Sequence, residues 1–149
     1  MKILVVDGQG GGIGKSIIEA LRAQNVNAEI FACGTNAVAA GNMQKAGADH
    51  SATGENAIVC NARTADVITG PIGIVMSDAL LGEITAKMAQ ALASSKAVRV
   101  LVPLNKCNTF IVGVSGATLS QNIAEAAEKI KSICLSLIHI SEPTRHLRI

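Results

Sequence analysis

The feature that most constrains this chain is the run KILVVDGQGGGIGKSIIEALRAQ near its start. KILVV (residues 2–6) is a continuous apolar segment of strand length, as expected of a strand buried on both faces. In residues 15–24, Ile17, Ile18 and Leu21 recur at helical spacing. Between the two segments five glycines fall within seven positions: Gly8, Gly10, Gly11, Gly12 and Gly14. A strand that enters a helix through a turn almost bare of side chains is the opening unit of a layered α/β domain. In such domains that turn lies at the carboxyl edge of the sheet, where ligands bind. Glycines let backbone N–H groups approach an anion, and the helix N-terminus adds a favourable dipole.

The rest of the chain continues the alternation. AEIFAC (28–33) reads as a second strand, and TNAVAAGNMQKA (35–46) as a helix capped by Thr35 or Asn36. A short helix is expected near 55–62. DVIT (66–69) and IGIV (72–75) flank Gly70-Pro71, so they form one strand broken by a turn, or two short strands. Residues 77–95 read as a helix region starting at Ser77 or Asp78. VRVLVPL (98–104) and FIVGV (110–114) read as strands joined by NKCNT, a link too short for a parallel crossover. They are therefore expected to form an antiparallel hairpin at one side of the sheet. A last helix is expected from about Leu119 to Cys134. The fold class that follows is a three-layer α/β/α sandwich with a Rossmann-like, mainly parallel sheet, in one domain spanning residues 1–134.

The tail, residues 135–149, breaks this pattern. LSLIHISEPTR resembles the one-frame translation of a transposase-based sequencing adaptor: the mosaic end as LSLIHI, then the primer region as SEPTR. Such a scar belongs outside the fold. Of the 13 basic and 11 acidic residues, the tail holds Arg145, Arg148 and Glu142, and His50 is the only histidine outside it. A balance so near neutral, with no cluster of Lys and Arg, argues against nucleic acid. No apolar run suits a bilayer and MKILVVDG is too short for a signal peptide, so no membrane association is expected and a cytoplasmic location is. The four cysteines form no CxxC pair and read as free thiols, with no metal site.

Three resemblances bear on the glycine loop. GGIGKSI is similar to the cofactor loop of short-chain dehydrogenases, which implies NAD(P). That family's chemistry needs a catalytic tyrosine, and the chain has none. The second strand also ends FACGTN, without the acidic residue that binds an adenosine ribose. GGIGKS also resembles the deviant P-loop of ParA- and MinD-like ATPases, which implies ATP or GTP. Gly11, Gly12, Gly14, Lys15 and Ser16 match that pattern, but Gln9 and Gly10 replace its leading Gly and signature Lys. Across nearly all of residues 1–134, the order DGQGGGIGKSI, DVITGPIGIV, GEITAKMA and VLVPLNKCN resembles a family of short bacterial proteins, domain of unknown function 3842. That resemblance implies no reaction.

The expected ligand is thus a nucleotide or other phosphate-bearing metabolite, in a binding or regulatory role. The alternative is an enzyme: an atypical NAD(P)-dependent oxidoreductase or a weak P-loop-like NTPase. The candidate binding residues are Asp7, Gly8, Gly10, Gly11, Gly12, Ile13, Gly14, Lys15, Ser16, Gly70 and Asn105, with 69–73 and 105–108 completing the pocket. Against this stands packing alone, since tight strand–helix contact also demands small residues. Asp7 suits turn or capping chemistry as well as a ribose or metal. Cys107 beside Lys106 is either a nucleophile or a turn residue. His50 is placed near the ligand edge, as a hydrogen-bonded loop residue or an acid–base group. Cys33, Cys60 and Met88 read as core, and the chain is open to homo-oligomerisation.

Overall fold

The computed structural model describes residues 1–104, 109–114 and 116–141. Five strands, β1 (Lys2–Asp7), β2 (Glu29–Gly34), β3 (His50–Thr53), β4 (Val67–Pro71) and β5 (Val98–Val102), form one sheet in the order β3-β2-β1-β4-β5. Every pairing is parallel. The helices are α1 (Gly12–Ala23), α2 (Ala37–Lys45), α3 (Glu55–Ala62), α4 (Ala86–Ser94) and α5 (Leu119–Ser141).

The apolar run of β1 explains its central place. Ile3, Leu4, Val5 and Val6 are all fully buried, and successive side chains alternate between the two faces. Ile3 and Val5 pack with Ile17, Ile18 and Leu21 of α1 and with Ala127 and Ile130 of α5. Leu4 and Val6 pack with Ile58 of α3 and Met88 and Leu92 of α4. These are the three layers. α2 begins as its sequence indicates, with the Asn36 side chain accepting the Ala39 N–H at 2.9 Å.

Several expectations change. The antiparallel hairpin is absent: β5 runs parallel to β4, Val98 beside Val67 through Val102 beside Pro71, and 110–114 is not a strand. Gly113 turns the chain at φ 94°, which breaks the extended run, and Phe110 and Val112 are 83% and 96% exposed. IGIV forms a 3-10 turn (Ile72–Val75) directly after β4. The helix expected over 77–95 starts only at Ala86, where Thr85 Oγ1 accepts the Met88 N–H at 3.1 Å. Before it, Asp78, Leu80, Leu81 and Gly82 all have positive φ, which no helix tolerates. β3 was not anticipated because HSAT carries no apolar alternation; it pairs through its backbone with β2. Among the cysteines, Cys33 is buried as expected, whereas Cys60, also expected in the core, is exposed on α3, whose buried face is Ile58, Val59 and Ala62.

α5 runs past Cys134 into the tail. Ile123, Ala126, Ala127, Ile130 and Cys134 are buried, whereas Leu135 is 61% exposed and Ile138 36%. A chain ending at Cys134 should therefore lose less than about 1 kcal/mol in urea unfolding, as for ordinary surface changes. A loss of several kcal/mol would make residues 135–141 part of the core.

Candidate functional site

β1 lies between β2 and β4, and the chain crosses from one side of it to the other between β3 and β4. The carboxyl ends of β1 and β4 therefore flank the crevice at which open α/β sheets place their ligands. A cavity of about 340 Å³ sits there. Gln9 lines it from the glycine loop, Ile72 and Met76 from the segment after β4, Leu80 and Leu81 from beyond that, and Leu104 from the end of β5. A groove of about 490 Å³ between α3 and α4 is larger, but Arg63, Lys87, Gln90, Ser94 and Lys96 line it with exposed side chains. It lies on the helix layer, away from the strand ends.

The glycines of the loop divide into two kinds. A Cβ on Gly8 would stand 2.8 Å from Thr35 Oγ1 and 2.9 Å from Leu80 Cδ1. Gly11, the α1 N-cap at φ 72°, would meet the Ala39 backbone at 2.9 Å. Gly14 would run into the Met43 side chain and lie 3.1 Å from Asp7 Cβ. These three are small because other protein atoms occupy the space. Gly10 and Gly12 meet nothing within 4 Å and face open space.

Asp7 ends β1 at 5% exposure and is part of the loop's own framework. Its Oδ1 accepts the Gly8 N–H at 2.7 Å and its Oδ2 the Gly14 N–H at 2.8 Å, in the first turn of α1. Burial pushes its pKa up; the amides of Gly14, Gly8 and Ile13 pull the other way, and Glu83 adds to the rise. A buried carboxylate thus satisfies amides that a phosphate was expected to take. Lys15 Nζ lies 4.0 Å from Glu19 Oε1, one turn along α1, with both side chains 54% exposed. Ser16 is half-buried on the same helix.

On β4, Gly70 (φ 151°) passes so close to β1 that an added Cβ would collide with the Val6 carbonyl oxygen. Thr69 is fully buried, and its Oγ1 has no hydrogen-bond partner among the described residues. Asn105, Lys106 and Cys107 lie outside the described residues. His50 is not at the crevice: it opens β3, stacks on Phe31 at 4.5 Å and faces Glu29 at 3.4 Å. Parallel pairing puts the start of β3 away from the glycine loop.

Glu83 is the site residue the sequence did not disclose. Its carboxylate accepts the Gln9 N–H at 3.0 and 3.1 Å, the Thr35 hydroxyl at 2.6 Å and the Asn36 amide at 2.8 Å. The Thr35 bond, then those from Asn36 and Gln9, hold its pKa below the ordinary carboxylate range. An acidic group therefore does stand at the end of β2, delivered by a segment about fifty residues downstream. The one available cue was Gly82 interrupting a helical pattern. Among the described residues no group of three His, Cys, Asp or Glu side chains is placed to hold a metal, and no helix is long and apolar enough to cross a membrane.

The parallel sheet with helices on both faces and a crevice at its switch point is a Rossmann-like α/β domain. The chain belongs to the family Domain of unknown function (DUF3842), whose profile matches residues 2–135. No curated protein matches it. Among solved structures it is similar to a dodecameric FMN-dependent UbiX-like decarboxylase from Escherichia coli O157:H7, at 18% identity over 87% of this chain and 76% of that one, with a TM-score of 0.46. It is also similar to AibC, at 16% identity and a TM-score of 0.50. That match covers 89% of this chain but 39% of AibC, so the chain spans well under half the length of that protein. At this identity the likeness is one of fold.

Proposed function

We propose that the domain is a binding module for a phosphate-bearing metabolite of mononucleotide size, seated in the crevice between the glycine loop and the segment after β4. The observation that carries this reading is that Gln9 of the glycine loop walls the 340 Å³ cavity together with the segment after β4. Gly10 and Gly12 of the same loop leave open space where side chains would stand. Its volume is at the small end of the roughly 300–1,000 Å³ of ligand pockets, which favours a mononucleotide over a dinucleotide. Its walls are mainly aliphatic, suited to the flat face of a base or another apolar moiety. The phosphate would sit outside Asp7, toward Gly10 and Gly12, because Asp7 already takes the Gly8 and Gly14 amides. The NTPase alternative draws less support, since Lys15 pairs along α1 with Glu19.

Calorimetry with a panel of nucleotides and dinucleotides, on a chain ending at Cys134, tests the reading. At least one mononucleotide-sized ligand is expected to bind with micromolar affinity, and failure of all to bind tighter than millimolar defeats it. Gly10→Asp should weaken that binding at least tenfold by placing a negative charge at the phosphate. Because nothing lies within 4 Å of the added Cβ, the same change should alter stability by less than about 1 kcal/mol. Undiminished binding in Gly10→Asp places the phosphate elsewhere.

A further inference from the structure

Segment 76–84 has a backbone that local sequence preferences do not favour. Asp78 (φ 66°), Leu80 (φ 56°) and Leu81 (φ 57°) hold left-handed conformations that side chains resist, and Gly82 (φ 89°) follows them. The segment is nevertheless tied to itself. The Asp78 N–H donates to the Ile84 carbonyl at 2.7 Å, the Ile84 N–H to Ala79 at 3.2 Å, and the Gly82 N–H to Asp78 at 3.1 Å. It is thus a compact flap between two fully buried anchors, Ile74 and Ile84, with Leu81 at its tip 91% exposed. Strain of this kind gathers at ligand clamps and switch regions.

Two side chains of the flap reach the glycine loop. Leu80 packs over Gly8 and also lines the crevice. Glu83 is held by donors from two other places in the chain: the Gln9 backbone, the Thr35 hydroxyl and the Asn36 amide. An N–H, an O–H and an amide NH₂ converging on one point serve an incoming phosphate or carboxylate oxygen as well as they serve Glu83. Gln9 belongs both to this seat and to the cavity wall, so a ligand in the crevice lies next to it. Two anions cannot share the seat, because like charges at hydrogen-bonding range repel strongly.

We infer that segment 76–84 is a lid latched by its own carboxylate: Glu83 holds the seat formed by Gln9, Thr35 and Asn36, and an anionic oxygen group of the ligand, phosphate or carboxylate, displaces it as the lid opens. This rests on the crevice being the ligand site and adds to it a second anion seat, at Gln9, Thr35 and Asn36, beside the phosphate position toward Gly10 and Gly12. The latch lowers apparent affinity by the fraction of molecules in which the seat is free, so weakening the latch strengthens anion binding.

The test uses inorganic phosphate and needs no nucleotide. In Glu83→Ala, amide hydrogen exchange in 77–84 should quicken at least tenfold while β1 and β4 exchange as before. Phosphate, followed by the Gln9 amide resonance, should bind at least tenfold tighter than to the unaltered protein. Adding Thr35→Ala to Glu83→Ala should abolish that gain. Faster exchange without tighter phosphate binding makes Glu83 a structural staple and overturns the inference, as does unchanged exchange. If Glu83→Ala does not fold, Glu83→Gln, which keeps the shape and loses the charge, carries the same two readouts. Absence of nucleotide binding in calorimetry defeats the proposed ligand class, whereas exchange and phosphate titration decide the latch.

Discussion

Gly70→Ala should cost this domain about 4 kcal/mol or more, a large share of a typical single domain's stability. Two independent penalties combine. At φ 151° the backbone of Gly70 occupies a region that residues with a Cβ rarely enter. The added carbon would also collide with the Val6 carbonyl oxygen, on the neighbouring central strand. β1 is packed on both faces by fully buried side chains and paired on both edges, so it has nowhere to move. Gly82→Ala provides the contrast: its φ of 89° is also unfavourable, but nothing lies within 4 Å of the new carbon. It should cost about 1 kcal/mol. Urea unfolding of the two variants measures the difference. Equal midpoints would show that β1 and β4 can separate to admit a methyl group.

Asp7→Ala should destabilise the domain by about 2 kcal/mol at neutral pH. Removing the carboxylate strands the Gly8 and Gly14 N–H groups in a buried position, where each unpaired donor costs roughly 1–3 kcal/mol. Relief from burying a charge offsets part of that loss. The offset makes the effect depend on pH. Folding raises the pKa of Asp7 above its ordinary value of 3.8, so the folded state favours the protonated carboxyl. That contribution is fully present below pH 3.8 and is lost as pH rises through the raised folded value. Asp7→Asn, which does not titrate, should therefore fall furthest behind the unaltered protein at the acid end of this window. The gap should narrow toward neutrality. A gap that widens with pH would mean that the loop amides outweigh burial and that Asp7 is held ionised.

Both predictions turn on residues that the sequence marks as unusual without saying why. Gly70 stands out beside Pro71 as a turn signal, yet in the structure it is a strand residue whose missing side chain lets two strands meet. Gly8, Gly11 and Gly14 belong to a motif that resembles phosphate loops, yet Thr35, Ala39 and Met43 fill the space their side chains would take.

The sequence by itself determined the elements that depend on neighbours a few positions away. The apolar run of β1, the 3.6-residue period of Ile17, Ile18 and Leu21, and the Asn36 cap each report burial or hydrogen bonding within one turn or strand. They were sufficient to place the glycine loop at a strand–helix junction in an α/β domain. Only the tertiary structure decided which strands pair. HSAT joins the sheet because β2 offers it a backbone edge, and FIVGV stays out because Gly113 bends it. It also decided that Glu83 closes over Gln9, Thr35 and Asn36. Such convergence arises when separate segments are brought to one edge of a sheet. Local periodicity carries no signal for it, because it records which face of an element is buried and not what that face meets.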